Sequence, residues 1–258
     1  MSRITRCVLT LSLALGAAAA VPAVARPGVP AVNDVTSVMP VIWQNEVWTA
    51  RESPVTRQNP NHNFWIGTPQ TVFTDADGRL HMVAKKCGLN WCGVGVGTLK
   101  NDYGYGTYRF VIDTPMGELD PLAVIGMFTY NKEVRPSRQE SDVELSPWGQ
   151  DDPKARNAQW VVQPWKRPGH LVPFTVPRNS PMTYEFTWGP KSVVFRARVG
   201  TSPNARVYHS WRSTKALPGA PQPGTEVHLN LWFEHGDAPY DKSAQEVVFR
   251  SFTYTPRG

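Results

Sequence analysis

The sequence Gln139-Glu140-Ser141-Asp142-Val143-Glu144-Leu145 carries a carboxylate at every second position. On a β-strand, alternate side chains point to opposite faces, so this spacing predicts that Glu140, Asp142 and Glu144 share one face. The small and apolar residues that alternate with them then face a core. Three like charges on one face raise each other's pKa and cost folding energy. The pattern therefore indicates a strand whose acids do chemistry.

Two carboxylates that flank a bond, one protonated and one ionised, are the usual apparatus of glycoside hydrolysis. The run alone leaves two other interpretations open: a solvated strand face, and a patch that holds Ca²⁺. Short motifs recur by chance, so the surrounding sequence has to decide between them.

The first 25 residues have the pattern of an export signal. Arg3 and Arg6 precede an apolar stretch that is too short to span a bilayer comfortably, and Ala23-Val24-Ala25 is a small-x-small cleavage site. The alternative is a retained N-terminal anchor. Residues 26–42, rich in Pro, Val and Ala, are expected to form an extended lead-in, and residues 43–258 a single domain. The signal predicts a secreted or periplasmic protein.

The composition favours an all-β domain. The 258 residues include 24 Pro, 20 Gly and 10 Trp, and no long stretch has helical periodicity. About a dozen short apolar or alternating segments, separated by turn signals such as Asp77-Gly78, indicate a two-sheet β-sandwich or jelly roll. The net charge of +6 is spread along the chain without a Lys/Arg block, so nucleic acid is not expected as a partner. No later stretch is long and apolar enough to span a membrane, and a monomer is the default.

Two cysteines remain once the signal, with Cys7, is removed. Cys87 and Cys92 lie five residues apart, and in an oxidising compartment such a pair is expected to form a disulfide that closes a loop. Free thiols are the alternative. A zinc site would need more ligands at suitable spacing, so no metal ligands are assigned.

The acidic run and its context resemble glycoside hydrolase family 16. Glu140–Glu144 is similar to the E-x-D-x-E catalytic strand of the family's lichenase branch; the laminarinase branch has one more residue. Four further segments match in order, over about residues 64 to 256: Tyr105–Phe110 resembles Y-G-x-Y-E, Met127–Tyr130 the apolar strand ending in F-T-Y, Tyr184–Trp188 the H-x-Y-x-x-x-W hairpin, and Leu229–Trp232 the N-L-W strand.

The resemblance implies a concanavalin-like jelly roll with a sugar-binding groove on its concave sheet, and a retaining mechanism. Glu140 would be the nucleophile, Glu144 the acid and then the base, and Asp142 the assisting residue. Retaining enzymes hold the two carboxyl groups about 5–5.5 Å apart, whereas four strand residues span about 13 Å. The two Glu side chains must therefore lean towards each other over Asp142.

The sequence departs from the family pattern near the acids. The lichenase branch has a Trp two residues before the first Glu, where this chain has Arg138, and Val161-Val162-Gln163 is poor in sugar-contacting groups. The Trp candidates for stacking on sugar rings could each instead be core residues. The residues assigned to substrate binding are Tyr130, Arg138, Trp148, Trp160, Gln163, Trp165, Asn230 and Trp232.

The predicted function is a secreted endo-acting β-glycanase with a polysaccharide substrate. Two alternatives stand on the same fold: a non-catalytic, lectin-like carbohydrate-binding protein, and a transglycosylase that uses the same acids with another acceptor. No cofactor is expected to be required. Members of the family often carry a structural Ca²⁺ away from the catalytic strand, so such an ion is left open for this chain.

Overall fold

The computed structural model describes residues 39–257. The predicted signal and most of the predicted lead-in lie outside these residues, and the last part of the lead-in forms the first strand. Seventeen strands occur in the described range. In chain order they are β1 (Pro40–Trp43), β2 (Glu46–Ala50), β3 (Ser53–Gln58), β4 (Asn63–Trp65), β5 (Val72–Thr74), β6 (Leu80–Cys87), β7 (Asn90–Thr98), β8 (Gly106–Ile112), β9 (Ala123–Tyr130), β10 (Ser141–Leu145), β11 (Ala158–Val162), β12 (Leu171–Phe174), β13 (Met182–Trp188), β14 (Val193–Val199), β15 (Val207–Ser213), β16 (Glu226–Phe233) and β17 (Gln245–Pro256). Short 3-10 turns span Met116–Glu118 and Glu234–Gly236.

Strand pairing gives two antiparallel layers. The inner sheet has the order β1-β2-β7-β16-β9-β10-β11-β12. The outer sheet has the order β5-β6-β17-β8-β13-β14-β15. The β6–β7 hairpin connects the two sheets, and the short ribbon β3–β4 joins the side of β7. The prediction of an all-β sandwich is confirmed.

The predicted disulfide between Cys87 and Cys92 is confirmed. The bond closes the turn between β6 and β7, with 5.8 Å between the two Cα atoms. It therefore fixes the connection through which the chain passes from the outer sheet to the inner one. Between residues 39 and 257, no helix is long and apolar enough to cross a lipid bilayer.

The core lies between the two sheets and is rich in aromatic side chains. Val143 and Leu145 of β10 point into it, as the alternation predicts. Trp160 of β11 stacks on Phe195 of the outer sheet, with 5.3 Å between ring centroids. Because β10 turns its apolar side chains to this core, its other face is left for the acids.

Trp160 lies in the core and not in the groove. Its side chain is 0% exposed, and its indole Nε1 donates to His209 Nδ1 over 3.0 Å. A fully buried ring offers no face to a sugar, so the prediction that Trp160 binds substrate is wrong. β11 ends at Val162, because Pro164 lacks an N–H for the ladder, and Trp165 beyond it turns out to solvent, 50% exposed.

We expect Trp160→Ala to lower the free energy of unfolding by about 3–5 kcal/mol, the usual cost of removing a buried Trp side chain. Trp165→Ala is the matched control. Its half-exposed ring should cost no more than about 0.5 kcal/mol. Urea denaturation of both variants measures the difference, and equal losses would contradict the assignment of Trp160 to the core.

Candidate active site

A groove of about 1050 Å³ lies on the face of the inner sheet opposite the core. Residues of β7, β9, β10, β11 and β16 form its floor, and the segments around Arg51 and Asn61 form part of its wall. Glu140, Asp142 and Glu144 all line it. The prediction that the three acids share one face is therefore confirmed, although β10 begins only at Ser141 and Glu140 lies in the preceding turn.

The strand register arranges the floor in rows, because directly opposite residues point to the same face of a sheet. One row runs Gln159, Glu144, Gly126, Asn230 across β11, β10, β9 and β16. The next row runs Val161, Asp142, Phe128, His228. The acids thus stand on the central part of the floor, with Asn230 two strands away from Glu144.

Glycines make room for the groove-facing side chains of β16. On β7, Gly93, Gly95 and Gly97 alternate with two buried valines of the core. A Cβ on Gly97 would lie 2.7 Å from the His228 ring. A Cβ on Gly126 would collide with Asn230 Oδ1. The absence of these methyl groups lets His228 and Asn230 lie flat on the sheet and keeps the floor low.

Two of the three acids accept a hydrogen bond from a glutamine amide. The carboxyl groups of Glu140 and Asp142 are placed to share a hydrogen bond when one of them is protonated. Gln163 Nε2 donates to Asp142 Oδ2 over 3.3 Å, and Gln159 Nε2 donates to Glu144 Oε2. Asp142 is only 3% exposed, so its carboxyl lies at the bottom of the group.

Burial is the main cause of the acids' titration behaviour. It raises the pKa of Glu140 to about 7, against the lowering effect of the Asp142 hydrogen bond. It also raises the pKa of Asp142 well above its usual value, with further contributions from the charges of Glu140 and Glu144. The pKa of Glu144 is raised by burial in spite of the Gln159 hydrogen bond. The three groups titrate as one coupled set.

The contrast with Glu185 shows that the chain can neutralise a buried carboxylate. Glu185 of β13 is 8% exposed at its side chain, and three arginines contact it: Arg198 at 3.1 Å, Arg196 at 3.4 Å and Arg109 at 3.7 Å. Among residues 39–257, the groove acids form no ion pair of this kind. They therefore remain available to a ligand.

The remaining predicted binding residues lie at or near the groove. Gln163, Asn230 and Trp232 line it, as do Tyr130, Trp148 and Trp165. Arg138 stands with its guanidinium 5.7 Å from the centre of the Tyr130 ring and donates to the Lys132 carbonyl. It therefore braces Tyr130 from beside the groove.

The sequence analysis missed two pairs in the groove lining. His228 Nε2 lies 2.9 Å from Glu226 Oε2, and the His228 ring stacks on Phe128 at 5.3 Å. On the other side, the Arg51 guanidinium lies 4.1 Å over the Trp65 ring. The alternation of His228, Asn230 and Trp232 was a usable signal for the first pair. The contact between Arg51 and Trp65 could not be predicted from the sequence, because Arg51 follows β2 and Trp65 lies in β4.

Within the described part of the chain, no group of three or more His, Cys, Asp or Glu side chains is arranged to hold a metal ion. A structural Ca²⁺ site remains an expectation from the resemblance alone.

Sequence comparison finds no matching family model and no match among curated proteins. The fold, in contrast, is similar to solved structures. A Bacillus licheniformis β-glucanase superposes with a TM-score of 0.62 at 18% identity, over 87% of this chain and 100% of the other. A prokaryotic β-1,3-1,4-glucanase (lichenase) from a mouse hindgut metagenome gives 0.58 at 16%, over 83% and 95%.

A third similar structure is described as an immunostimulatory antigen and pseudo β-1,3-glucanase of Mycobacterium tuberculosis. Its TM-score is 0.59 at 18% identity, over 82% of this chain and 91% of the other. The predicted likeness to the lichenase-type jelly roll is thus confirmed for the fold.

We expect Asp142→Asn to stabilise the protein at pH 8. The carboxyl has a raised pKa in the folded state and ionises near pH 4 when unfolded. Its presence therefore costs nothing below pH 4 and costs increasingly more as the pH rises towards the folded pKa. The melting temperature at pH 8 should rise by about 2–4 °C, corresponding to about 1 kcal/mol, with a smaller change at pH 4.

Asp241→Asn is the control of opposite sign. Hydrogen bonds from Ser243 lower the pKa of Asp241, so this carboxylate contributes stability that is present above pH 4 and is lost on acidification. At pH 8, the melting temperature of Asp241→Asn should therefore equal that of the wild type or fall below it. A melting temperature for Asp142→Asn that falls at pH 8 would contradict the proposed strain in the acidic cluster.

Proposed function

We propose that this chain is a secreted endo-acting β-glycanase that hydrolyses a polysaccharide with retention of configuration. The observation that carries the proposal is the set of three acids in the groove, Asp142 buried and Glu140 and Glu144 half-buried. They have no ion-pair partner among residues 39–257, and their pKa values are raised. Carboxyl groups in such surroundings act as proton donors or nucleophiles in glycoside hydrolysis. The fold that the chain shares with β-glucanases supports this function.

The hydrogen bond between Glu140 and Asp142 supports a division of roles. Burial raises the pKa of Glu140 to about 7, and the interaction with Asp142 acts against that rise, towards the ionised form that a nucleophile needs. Glu144, buried beside Gln159, is suited to hold a proton for the leaving oxygen. After the sugar is bonded to Glu140, the ionised Glu144 would take a proton from water as the water attacks.

The shape of the groove supports cleavage at internal bonds of a polysaccharide. Its floor crosses five neighbouring strands, from β7 to β11, which at the usual strand spacing is about 19 Å. A floor of this length accepts several consecutive sugar units of a polysaccharide. Trp148 and Trp165, on its margins, provide ring faces for stacking on sugars.

A non-catalytic carbohydrate-binding protein is the second candidate. It is favoured by one observation, the similarity to the Mycobacterium tuberculosis structure described as a pseudo β-1,3-glucanase. Arg138, where the lichenase pattern has Trp, is consistent with an altered substrate or with lost catalysis.

We expect Glu140→Gln and Glu144→Gln each to lower kcat/KM on the preferred polysaccharide by at least about 100-fold, because each removes a nucleophile or a general acid. The chain from residue 26 is assayed on a panel of β-glucans, galactans and xyloglucan. Glu133→Gln, an exposed carboxylate in the loop before β10, is the matched control and should keep full activity. Proton NMR of the first product should show the retained anomer.

Other results would support the alternatives. Binding of one polysaccharide equally by all variants, without cleavage, would replace the glycanase with a binding protein. Products longer than the substrate would identify a transglycosylase. An inverted first product would overturn the covalent mechanism even if the polymer is cut.

A further inference from the structure

A second cavity, of about 500 Å³, adjoins the groove beyond the ends of β10 and β16. Trp148 and Glu234 line both the cavity and the groove, so the two spaces meet at these side chains. Leu122, Ala238 and Tyr240 line the cavity and not the groove. The volume lies in the range of pockets that hold a small ligand.

The strand register places this cavity to one side of the acids. Glu144 shares a row of the groove floor with Asn230. Glu234 follows Asn230 by four residues, about 13 Å along the strand direction, and its backbone N–H donates to the Leu122 carbonyl over 2.8 Å. A polysaccharide that crosses the strands, as proposed above, therefore has the cavity beside it and not in line with it.

Hydrogen bonds fix the walls of the cavity. The Gly149 N–H donates to the Pro121 carbonyl over 2.8 Å, and the Tyr240 hydroxyl donates to the Gly149 carbonyl over 3.0 Å. On the other side, the buried Asp120 accepts from the backbone N–H of Asp241 over 3.2 Å. Both loops are thus tied to the connection that leads into β9.

Aromatic side chains form part of the cavity lining. Trp148 is half-buried where the cavity meets the groove. Tyr240 is 57% exposed, and its hydroxyl is held by Gly149, so its ring has a fixed place and a free surface. Rings with an apolar face and a polar end suit ligands that have both characters, as sugars do.

Glu234 offers a hydrogen-bond acceptor to such a ligand. Its side chain is 14% exposed, and its buried Oε2 atom has no hydrogen-bond partner in the described residues. A buried carboxylate oxygen without a donor lowers stability, and a sugar hydroxyl would supply that donor. The carboxylate of Asp237 also lines the cavity, against the ammonium of Lys242. The two carboxylates disfavour an anionic ligand, so a neutral sugar fits best.

We propose that the cavity is a side pocket for a branch sugar, a neutral glycosyl substituent on the polysaccharide backbone that lies in the groove. The proposal rests on the proposed function, because the backbone has to occupy the groove, but it does not require catalysis. The branch enters where Trp148 and Glu234 line both spaces, packs against the Tyr240 ring and donates a hydroxyl to Glu234. The protein therefore prefers a branched polysaccharide to a linear one with the same backbone.

Matched pairs of branched and linear substrates test this preference. One pair is a β-1,3-glucan with β-1,6-linked glucosyl branches and a linear β-1,3-glucan; the other is a xyloglucan oligosaccharide and a cello-oligosaccharide of equal backbone length. For the chain from residue 26, kcat/KM should be at least about 10-fold higher on the branched member of one pair. That ratio corresponds to about 1.4 kcal/mol, the scale of one ring contact with one hydrogen bond.

Tyr240→Ala removes a ring that lines the cavity alone. It should lower the branched-to-linear ratio of kcat/KM by about 3–10-fold and leave kcat/KM on the linear member unchanged. Tyr240→Phe keeps the ring and should keep most of the preference. Tyr208→Ala is the matched control, because Tyr208 is a similarly exposed tyrosine of β15 in the outer sheet, and it should not change the ratio.

Ala238→Trp tests the pocket by filling it. The larger side chain should exclude the branch and bring the ratio to about 1 or below, while the linear member is still cut as by the wild type. This variant adds a side chain where Tyr240→Ala removes one, so the two reach the same expected loss of preference by opposite changes.

The outcomes separate the side pocket from the proposed function. Equal kcat/KM on both members of every pair, or a preference that survives Tyr240→Ala and Ala238→Trp, would overturn the pocket and leave the glycanase standing. Should nothing be cut, isothermal titration calorimetry with the same oligosaccharides gives the ratio of Kd values. A branched preference that both variants abolish then supports the pocket although the glycanase fails, and binding of no oligosaccharide overturns both.

Discussion

The constraint on which the structure depends is the placement of three poorly exposed carboxyl groups on the groove face of β10 and of Glu140, the residue just before it. Burial disfavours their charged forms, and the cluster therefore destabilises the folded state as the pH rises through the range in which its members ionise. The opposite face of β10 offsets this cost. Val143 and Leu145 insert into the core between the sheets, and β9 and β11 pair with β10 on both sides.

Because side chains alternate between the two faces of a strand, one face of the inner sheet packs against the core and the other forms the groove. On β7 the valines contact the core, and the glycines between them open the groove. On β16 Leu229 and Leu231 are core residues, and His228 and Asn230 lie on the groove floor. A substitution on one face of these strands therefore affects packing, and a substitution on the other face affects the site. The glycines, which have no side chain, therefore shape the groove as much as the residues that line it.

Alternation within one strand could be predicted from the sequence, and register between strands could not. The run of acids shows its own two faces, so their common orientation followed from spacing alone. Trp160 was misassigned because β10 and β11 pair Ser141 with Val162, which places Trp160 opposite Val143 and on the core side. Because a long connection separates these strands, the sequence does not show which residues of β11 share a face with the acids of β10.

Glu185 shows how this chain stabilises a buried carboxylate as an ion. In the outer sheet, three arginines contact this buried acid, so the chain has the means to stabilise a charge in its interior. In the groove, glutamine amides donate to Glu144 and Asp142 instead. An amide positions a carboxyl group without fixing its charge, whereas an arginine would keep it ionised and unable to donate a proton. A protein that only bound neutral sugars would gain stability from the arginine arrangement. The choice of glutamine therefore favours a site in which protons move.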